Sequence, residues 1–381
     1  MTRPLRILML NYEYPPLGGG AGNAAQYLLR EFAHFGDLDI TLVTSSTDEQ
    51  RTETPHGNIT IHFLDIGKKG NLHYQTNRDL LIYSWKAWRF CRTLCKEHAF
   101  DLILAFFGIP CGVIAYLLGK PYIISLRGSD VPGYNSRFKL LDHVVFRTIS
   151  RIVWKKADHV TALSKDLREL ARRTSPQREI SVIYNGISCE EFHPNGAMQQ
   201  DGESYNLLFV GRLIERKGVS YLLRAMAKVR DSHPRLHVYI VGDGPLRDGL
   251  RAEADALGIG ARVSIEGSVP HSKLLDYYQK AHIFVLPSLN EALGNVTHEA
   301  IASGLPIITT DTGAAELVDG NGIVVPREDA DAIARAIERL LHDESLRGQM
   351  AKQSRILAEN MRWRTTAEAY YRLFSMYRRP A

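Results

Sequence analysis

Two blocks of alternating strand and helix patterns, parted by a polar run, constrain this chain more than any other feature. In the first block Arg6–Leu10, Ile40–Thr44, Ile59–Leu64, Leu102–Phe106, Tyr122–Leu126, His159–Ala162 and Ile180–Tyr184 read as strands, with helical patterns at Asn23–His34 and Asn77–His98. Leu102–Phe106 and Tyr122–Leu126 are short, rich in β-formers and bounded by Gly or Pro, as strands buried in a parallel sheet should be. Residues 194–206 show no periodic apolar pattern and read as a linker. The alternation then restarts. Leu207–Val210, His237–Val241, Val263–Glu266, Ile283–Leu286, Pro306–Thr309 and Ile323–Val325 read as strands. Helices are expected between them at Val219–Val229, Leu246–Leu257, Ser272–Lys280 and Asn295–Ser303, and a helical tail runs from Asp329 to Tyr377. Two such blocks predict an α/β protein with two parallel sheets covered by helices. Its ligand is expected at the carboxyl ends of the strands, in the cleft between the blocks.

Composition narrows the class without naming an activity. With 381 residues, 45% hydrophobic and 23% charged, the chain is an ordinary globular protein of two or three domains, not a disordered or fibrous one. The whole formal net charge of +5 falls in residues 1–195. That is too mild for nucleic acid, but it suits an anionic surface. Four cysteines make no disulfide framework, and Cys91 with Cys95, one helical turn apart, suit packing better than metal. The N-terminus does not read as a secretory signal. The most apolar run, Leu102–Leu118, is broken by Gly108, Pro110 and Gly112, whereas a spanning helix needs roughly 20 apolar residues. A soluble, cytoplasmic protein is expected.

Three segments hold residues able to do chemistry. Gly18 to Gly22 follows the first strand and opens a helix, where glycines admit close backbone approach and helix N–H groups favour an anion. A dinucleotide fingerprint would follow the strand directly. Here Asn11 to Leu17 intervenes, so the loop reads either as a ligand site or as a tight turn. In the second segment, Arg212 and Lys217 stand between a strand end and a helix. Two such cations make a receptor for a diphosphate, or merely a solvated basic turn. In the third, Glu291 follows an apolar strand at a helix N-terminus and Glu299 lies inside that helix. Eight residues of about 1.5 Å rise separate them by roughly 12 Å. Glycosidase pairs need roughly 5–9.5 Å, so this spacing suits gripping two ends of an elongated polyol. Taken singly, Glu291 could compensate a helix dipole and Glu299 could be a surface carboxylate. Asp37-Leu38-Asp39 precedes a strand and Asp329-Ala330-Asp331 reads as a helix start, so neither is expected to hold a metal.

Together these segments make the chain similar to the GT-B glycosyltransferases of family 4, the retaining, nucleotide-sugar-dependent group. Tyr14-Pro15-Pro16 through Gly20 resembles that family's first loop, and Ile183–Ile187 through Phe192-His193-Pro194 its interdomain segment. Gly211-Arg212, Lys217-Gly218 and the spacing of Glu291 and Glu299 resemble its second domain. The resemblance implies two Rossmann-like domains facing across a cleft: an acceptor domain of residues 1–195 and a donor domain of residues 205–360. A final helix within 361–381 would pack back on the first. The implied reaction moves a hexosyl unit from a UDP- or GDP-linked sugar to a hydroxyl of a glycan or lipid-linked glycan, with no metal or other cofactor. Arg212 and Lys217 would neutralise the departing diphosphate. Glu299 would hold the ribose and Glu291 the hexose. Backbone around Leu293, Gly294, Asn295 and Val296 would contact sugar and phosphate, with Gly19 and Gly20 near the diphosphate and Gly267 and Ser268 near the base. The attacking hydroxyl would pass its proton to the leaving phosphate on the same face, which removes the need for a protein base.

One position departs from that pattern. Many relatives carry a His-Gly pair after the Tyr122–Leu126 strand, whereas Arg127-Gly128 stands here. A permanently charged fork cannot replace a neutral imidazole. Arg127 could meet donor phosphate or an anionic acceptor, or pair with Asp130. Residues 137–173 hold ten Lys or Arg among apolar residues and only four acids. This stretch reads as a core-packing helix with a basic face, or as a site of weak contact with anionic membrane suited to a lipid-linked acceptor. Two rival functions share the fold: a nucleotide-sugar epimerase, against which the glutamate spacing argues, and a nucleotide-sugar binding protein without turnover. Slow donor hydrolysis without acceptor would exclude the second.

Overall fold

The computed structural model describes residues 3–68, 72, 75–134, 145–195 and 204–378. Its chain divides into two units, residues 1–185 with 363–381 and residues 186–362. Each is built on a sheet whose central strands are buried along nearly their whole length, because helices cover both faces of a parallel sheet.

In unit 1 the strands are β1 (Leu5–Leu10), β2 (Leu38–Ser46), β3 (Arg51–His56), β4 (Ile59–Asp65), β5 (Leu102–Phe106), β6 (Tyr122–Leu126), β7 (His159–Ala162) and β8 (Ser181–Val182). They pair in the order β3-β4-β2-β1-β5-β6-β7-β8, and every pairing is parallel except that of β3 with β4. Ile7, Leu8, Met9, Ile103 and Ile124 are buried at its centre. Each such side chain contributes about 1.5–3 kcal/mol on leaving water. The helices are α1 (Gly20–Phe32), α2 (Asn77–Glu97), α3 (Val113–Leu118), α4 (Arg147–Lys156) and α5 (Lys165–Thr174). A capping box starts α2: the Thr76 hydroxyl accepts from the Asp79 N–H, and the Asp79 carboxylate accepts from the Thr76 N–H.

Unit 2 has strands β9 (Tyr205–Val210), β10 (Leu236–Val241), β11 (Val263–Gly267), β12 (Ile283–Leu286), β13 (Ile307–Thr310) and β14 (Gly322–Val325), in the order β11-β10-β9-β12-β13-β14. Its helices are α6 (Val219–Val229), α7 (Arg247–Ala256), α8 (Leu274–Lys280), α9 (Asn295–Ala302), α10 (Ala330–His342) and α11 (Glu344–Asn360). Asp329 caps α10, accepting from the Ala332 N–H at 2.8 Å, so the second Asp pair is the expected helix start. Asp37 of the first pair instead accepts from the Tyr371 hydroxyl at 2.6 Å.

A last helix, α12 (Trp363–Ser375), belongs to unit 1. Trp363 stacks on Tyr27 at 5.2 Å, Phe374 meets Phe32 at 5.5 Å, and the Tyr370 hydroxyl bonds Ser125 at 2.8 Å. The first division of the chain falls at 185/186 rather than near 195. Residues 186–195 are held by unit 2, where Ile187 bridges Arg362 and Phe192 packs edge-on to His271 and Tyr278. Most of the polar run, 196–203, lies outside the described residues. Two further differences have simple causes. Strand β3 is exposed, contains Pro55 and lacks apolar alternation, so it leaves no period in the sequence. Helix α1 begins at Gly20, ahead of the apolar periodicity at Asn23. Among the described residues, no helix is long and apolar enough to cross a membrane.

Candidate active site

The strand order of unit 2 dictates where a ligand can sit. From β9 the chain winds outward through β10 and β11, then returns at β12 on the other side of β9. The direction of winding reverses there, and beyond the carboxyl ends of two such strands the loops diverge and leave a crevice. The loops in question run over residues 211–218 and 287–294.

Backbone bonds latch these loops together. The Leu289 N–H donates to the Arg216 carbonyl at 2.8 Å, and the Arg216 guanidinium donates to the Asn290 carbonyl at 3.2 Å. Gly218 lies between them with φ +65°, and a Cβ there would stand 2.0 Å from the Pro287 carbonyl oxygen. Only glycine fits. The short helical turn Glu215–Lys217 then delivers Lys217, whose ammonium donates to Glu291 Oε2 with both side chains buried. Burial pushes the Lys217 ammonium below the ordinary lysine range despite Glu291. Burial alone would raise the Glu291 carboxyl, but Lys217, Arg216 and Arg212 outweigh it and hold the group below the usual carboxylate range. Arg212 itself is exposed.

Glu291 is not part of a helix. Helix α9 starts at Asn295, after Gly294 with φ +80°, so the axial rise reckoned from a continuous helix does not separate the two glutamates. The Glu291 carbonyl instead accepts from the Gly313 N–H at 3.0 Å, which fixes its loop against the turn after β13. Glu299 does lie inside α9, and a second set of side chains fixes it. The Tyr278 hydroxyl donates to Oε2 at 2.8 Å, while His271 Nε2 lies 3.3 Å from Oε1. Tyr278 also reaches the Val296 carbonyl at 3.2 Å. Leu293 is buried, and Gly294, Asn295 and Val296 form the turn that opens α9.

At the end of β11, the Gly267 carbonyl accepts from the Gly242 N–H at 2.8 Å, and the Arg247 guanidinium lies close above Gly267. Ser268 follows in the exposed loop. The sequence singled out neither Tyr278, His271 nor Arg247. Tyr278 sits in the apolar stripe of α8 and reads as core, and Arg247 reads as one more surface cation.

In unit 1, Gly20 opens α1 and the Gly19 N–H donates to the Glu13 carboxylate at 3.1 Å. Arg127 follows β6 with its guanidinium turned inward. It lies over the Phe106 ring at 4.4 Å and donates to Asn185 Oδ1 at 3.0 Å. Asp130 accepts from the backbone N–H groups of Gly108, Arg127 and Gly128. It thus bonds the Arg127 backbone N–H, not the guanidinium.

Two family models match the chain in tandem, "Glycosyltransferase Family 4" over residues 18–191 and "Glycosyl transferases group 1" over residues 197–356. The chain belongs to glycosyltransferase family 4. This glycosyltransferase is 28% identical to an uncharacterized glycosyltransferase of Methanocaldococcus jannaschii over 90% of each chain. It is 31% identical to a GDP-mannose-dependent phosphatidylinositol monomannoside mannosyltransferase of Mycolicibacterium smegmatis, over 61% of this chain and 65% of that one. Its fold is that of the GT-B transferases: sucrose-phosphate synthase of Thermosynechococcus elongatus superposes with a TM-score of 0.84 at 23% identity, over 97% and 98% of the two chains. The expected fold class and family both hold.

Proposed function

We propose that this glycosyltransferase transfers a hexosyl unit from a UDP- or GDP-linked sugar to a hydroxyl of a glycan or lipid-linked glycan, with retention at the anomeric carbon and without a metal. The observation that carries the reading is the buried Lys217–Glu291 pair at the switch point of unit 2, with Arg212 and Arg216 acting on the same carboxylate. A cation and an anion held on the loops after two neighbouring strands meet the two demands of a nucleotide sugar, a diphosphate to neutralise and a polyol to orient. Glu299, fixed by Tyr278 and His271, supplies a second acceptor for paired hydroxyls such as those of a ribose. The mannosyltransferase relative, whose name specifies a GDP-linked donor and a lipid acceptor, supports both halves of the reading.

The chemistry follows from charge. As the glycosidic bond to phosphate breaks, positive charge spreads over the anomeric centre and negative charge grows on the diphosphate. The buried cation Lys217 and the exposed Arg212 stabilise that growing charge more than they stabilise the bound donor, which lowers the barrier. The incoming hydroxyl attacks on the face the diphosphate leaves, and its proton passes to a leaving-phosphate oxygen. Atoms and charge balance without a protein base. The reading also puts the enzyme in the cytoplasm, in weak contact with an anionic membrane where a lipid-linked acceptor resides. Nuclear magnetic resonance of the first product, with donors chosen from a thermal-shift screen of UDP, GDP and ADP sugars, tests the stereochemistry. An anomer matching the donor's is expected, and the opposite anomer would overturn the mechanism.

A further inference from the structure

The outer side of unit 1 carries apolar groups that its core does not use. Helix α2 buries Tyr83, Ala87, Cys91 and Leu94, yet its opposite side shows Leu81 at 72% exposure and Trp85 at 55%. Leu81, Trp85, Arg89 and Arg92 recur at helical spacing, so they form one outward stripe that Lys96 prolongs. From Leu81 to Lys96 the stripe runs roughly 22 Å. The cations are not scattered: the Arg89 guanidinium lies over the Trp85 ring at 4.9 Å, and that of Arg92 over Trp88 at 5.6 Å. Helix α2 packs on α3, and α3 on α4. Leu117 of α3 and Ile152 of α4 are also exposed, at 59% and 48%, with Arg151, Lys155 and Lys156 exposed around the latter.

We propose that this α2–α3–α4 face docks the protein on an anionic lipid surface. Indole rings bearing guanidinium groups suit the level of lipid headgroups, where the ring is half in hydrocarbon and the cation meets phosphate. An amphipathic helix with apolar residues on one side and Arg and Lys flanking them lies in the plane of such a surface. A protein partner of ordinary polarity would not call for so one-sided a charge: on the exposed stripe of α2, Arg89, Arg92 and Lys96 face no acid of their own helix except Glu97. The proposal rests on the lipid-linked acceptor reading above and adds the surface that would meet the lipid. Residues 137–144 of the basic stretch lie outside the described residues and take no part in it.

Cosedimentation of the full chain with phosphatidylglycerol-rich vesicles and with pure phosphatidylcholine vesicles tests it. The variants are Leu81→Ser with Trp85→Ser and, separately, Arg89→Gln with Arg92→Gln, all at exposed positions. Each cation near such a surface contributes about 1 kcal/mol, so the arginine variant should bind anionic vesicles roughly 30-fold more weakly. The apolar variant should lose binding to both vesicle types. Wild-type protein that ignores anionic vesicles, or variants that bind like wild type, would overturn the proposal. So would wild-type self-association that the apolar variant abolishes, since a second copy would then cover the face. Transfer to a soluble acceptor should be unchanged in every variant. Its absence in wild type would sink the functional reading instead, so the two failures are distinguishable.

Discussion

The two sheets share a winding scheme and differ in what stands at its turning point. In both units the first strand, β1 or β9, lies inside the sheet beside the strand at which the winding reverses, β5 or β12. In unit 2 the loops beyond those strands bring opposite charges together, Lys217 against Glu291. In unit 1 the residue after β5 is Phe107, with φ +72° and its ring stacked on Tyr12 at 4.5 Å. The nearby carboxylate, Asp130, is taken up by three backbone N–H groups, and Arg127 packs inward on Phe106. The topology makes a crevice twice. Among the described residues, side chains equip only the second with a cation and an anion on facing loops, which is why fold alone does not locate the chemistry.

Removing the cation of unit 2 tests this difference between the units with the largest expected effect. Lys217→Ala leaves Glu291 buried without its counter-charge and, on the proposed reading, removes a partner of the diphosphate. Turnover should fall about 10²–10³-fold, measured as initial rate at saturating donor. A loss smaller than about ten-fold would mean that charge at this strand end does not drive the reaction.

Unit 2 also buries His298 inside α9. Burial pushes its imidazole down from 6.5 to about 4. The unfolded chain therefore binds a proton below about pH 6.5 that the folded unit refuses until about pH 4. Stability is full above that window and declines through it, by about 3 kcal/mol in all. Denaturant melts between neutral pH and about pH 4 should show this slope in wild type and a shallower one in His298→Leu. Equal slopes would remove His298 as the cause.

Much of this was legible in the chain, for stated reasons. Strands β5, β6 and β12 lie where nearly continuous apolar runs put them, because burial on both faces leaves no alternation to misread. Lys217 and Glu291 stood out because charged residues next to apolar strand ends are costly without a task. Other features were not readable. The edge strand β3 has no hydrophobic period, and the loop conformation of Glu291 is set by a distant Gly313 N–H. Tyr278 acts on Glu299 from another helix, a long-range pairing that spacing along one chain does not encode.

On the proposed function, one lobe holds a nucleotide sugar at two separate carboxylates, Glu299 on the nucleotide and Glu291 on the sugar. Calorimetry of bare nucleoside diphosphate binding to wild type, Glu299→Ala and Glu291→Ala tests it most directly. Loss of a hydrogen-bonded carboxylate contact, worth about 1.5–3 kcal/mol, should weaken diphosphate binding by roughly ten-fold or more in Glu299→Ala and leave Glu291→Ala close to wild type. Wild-type affinity in both variants, or the larger loss in Glu291→Ala, would contradict it.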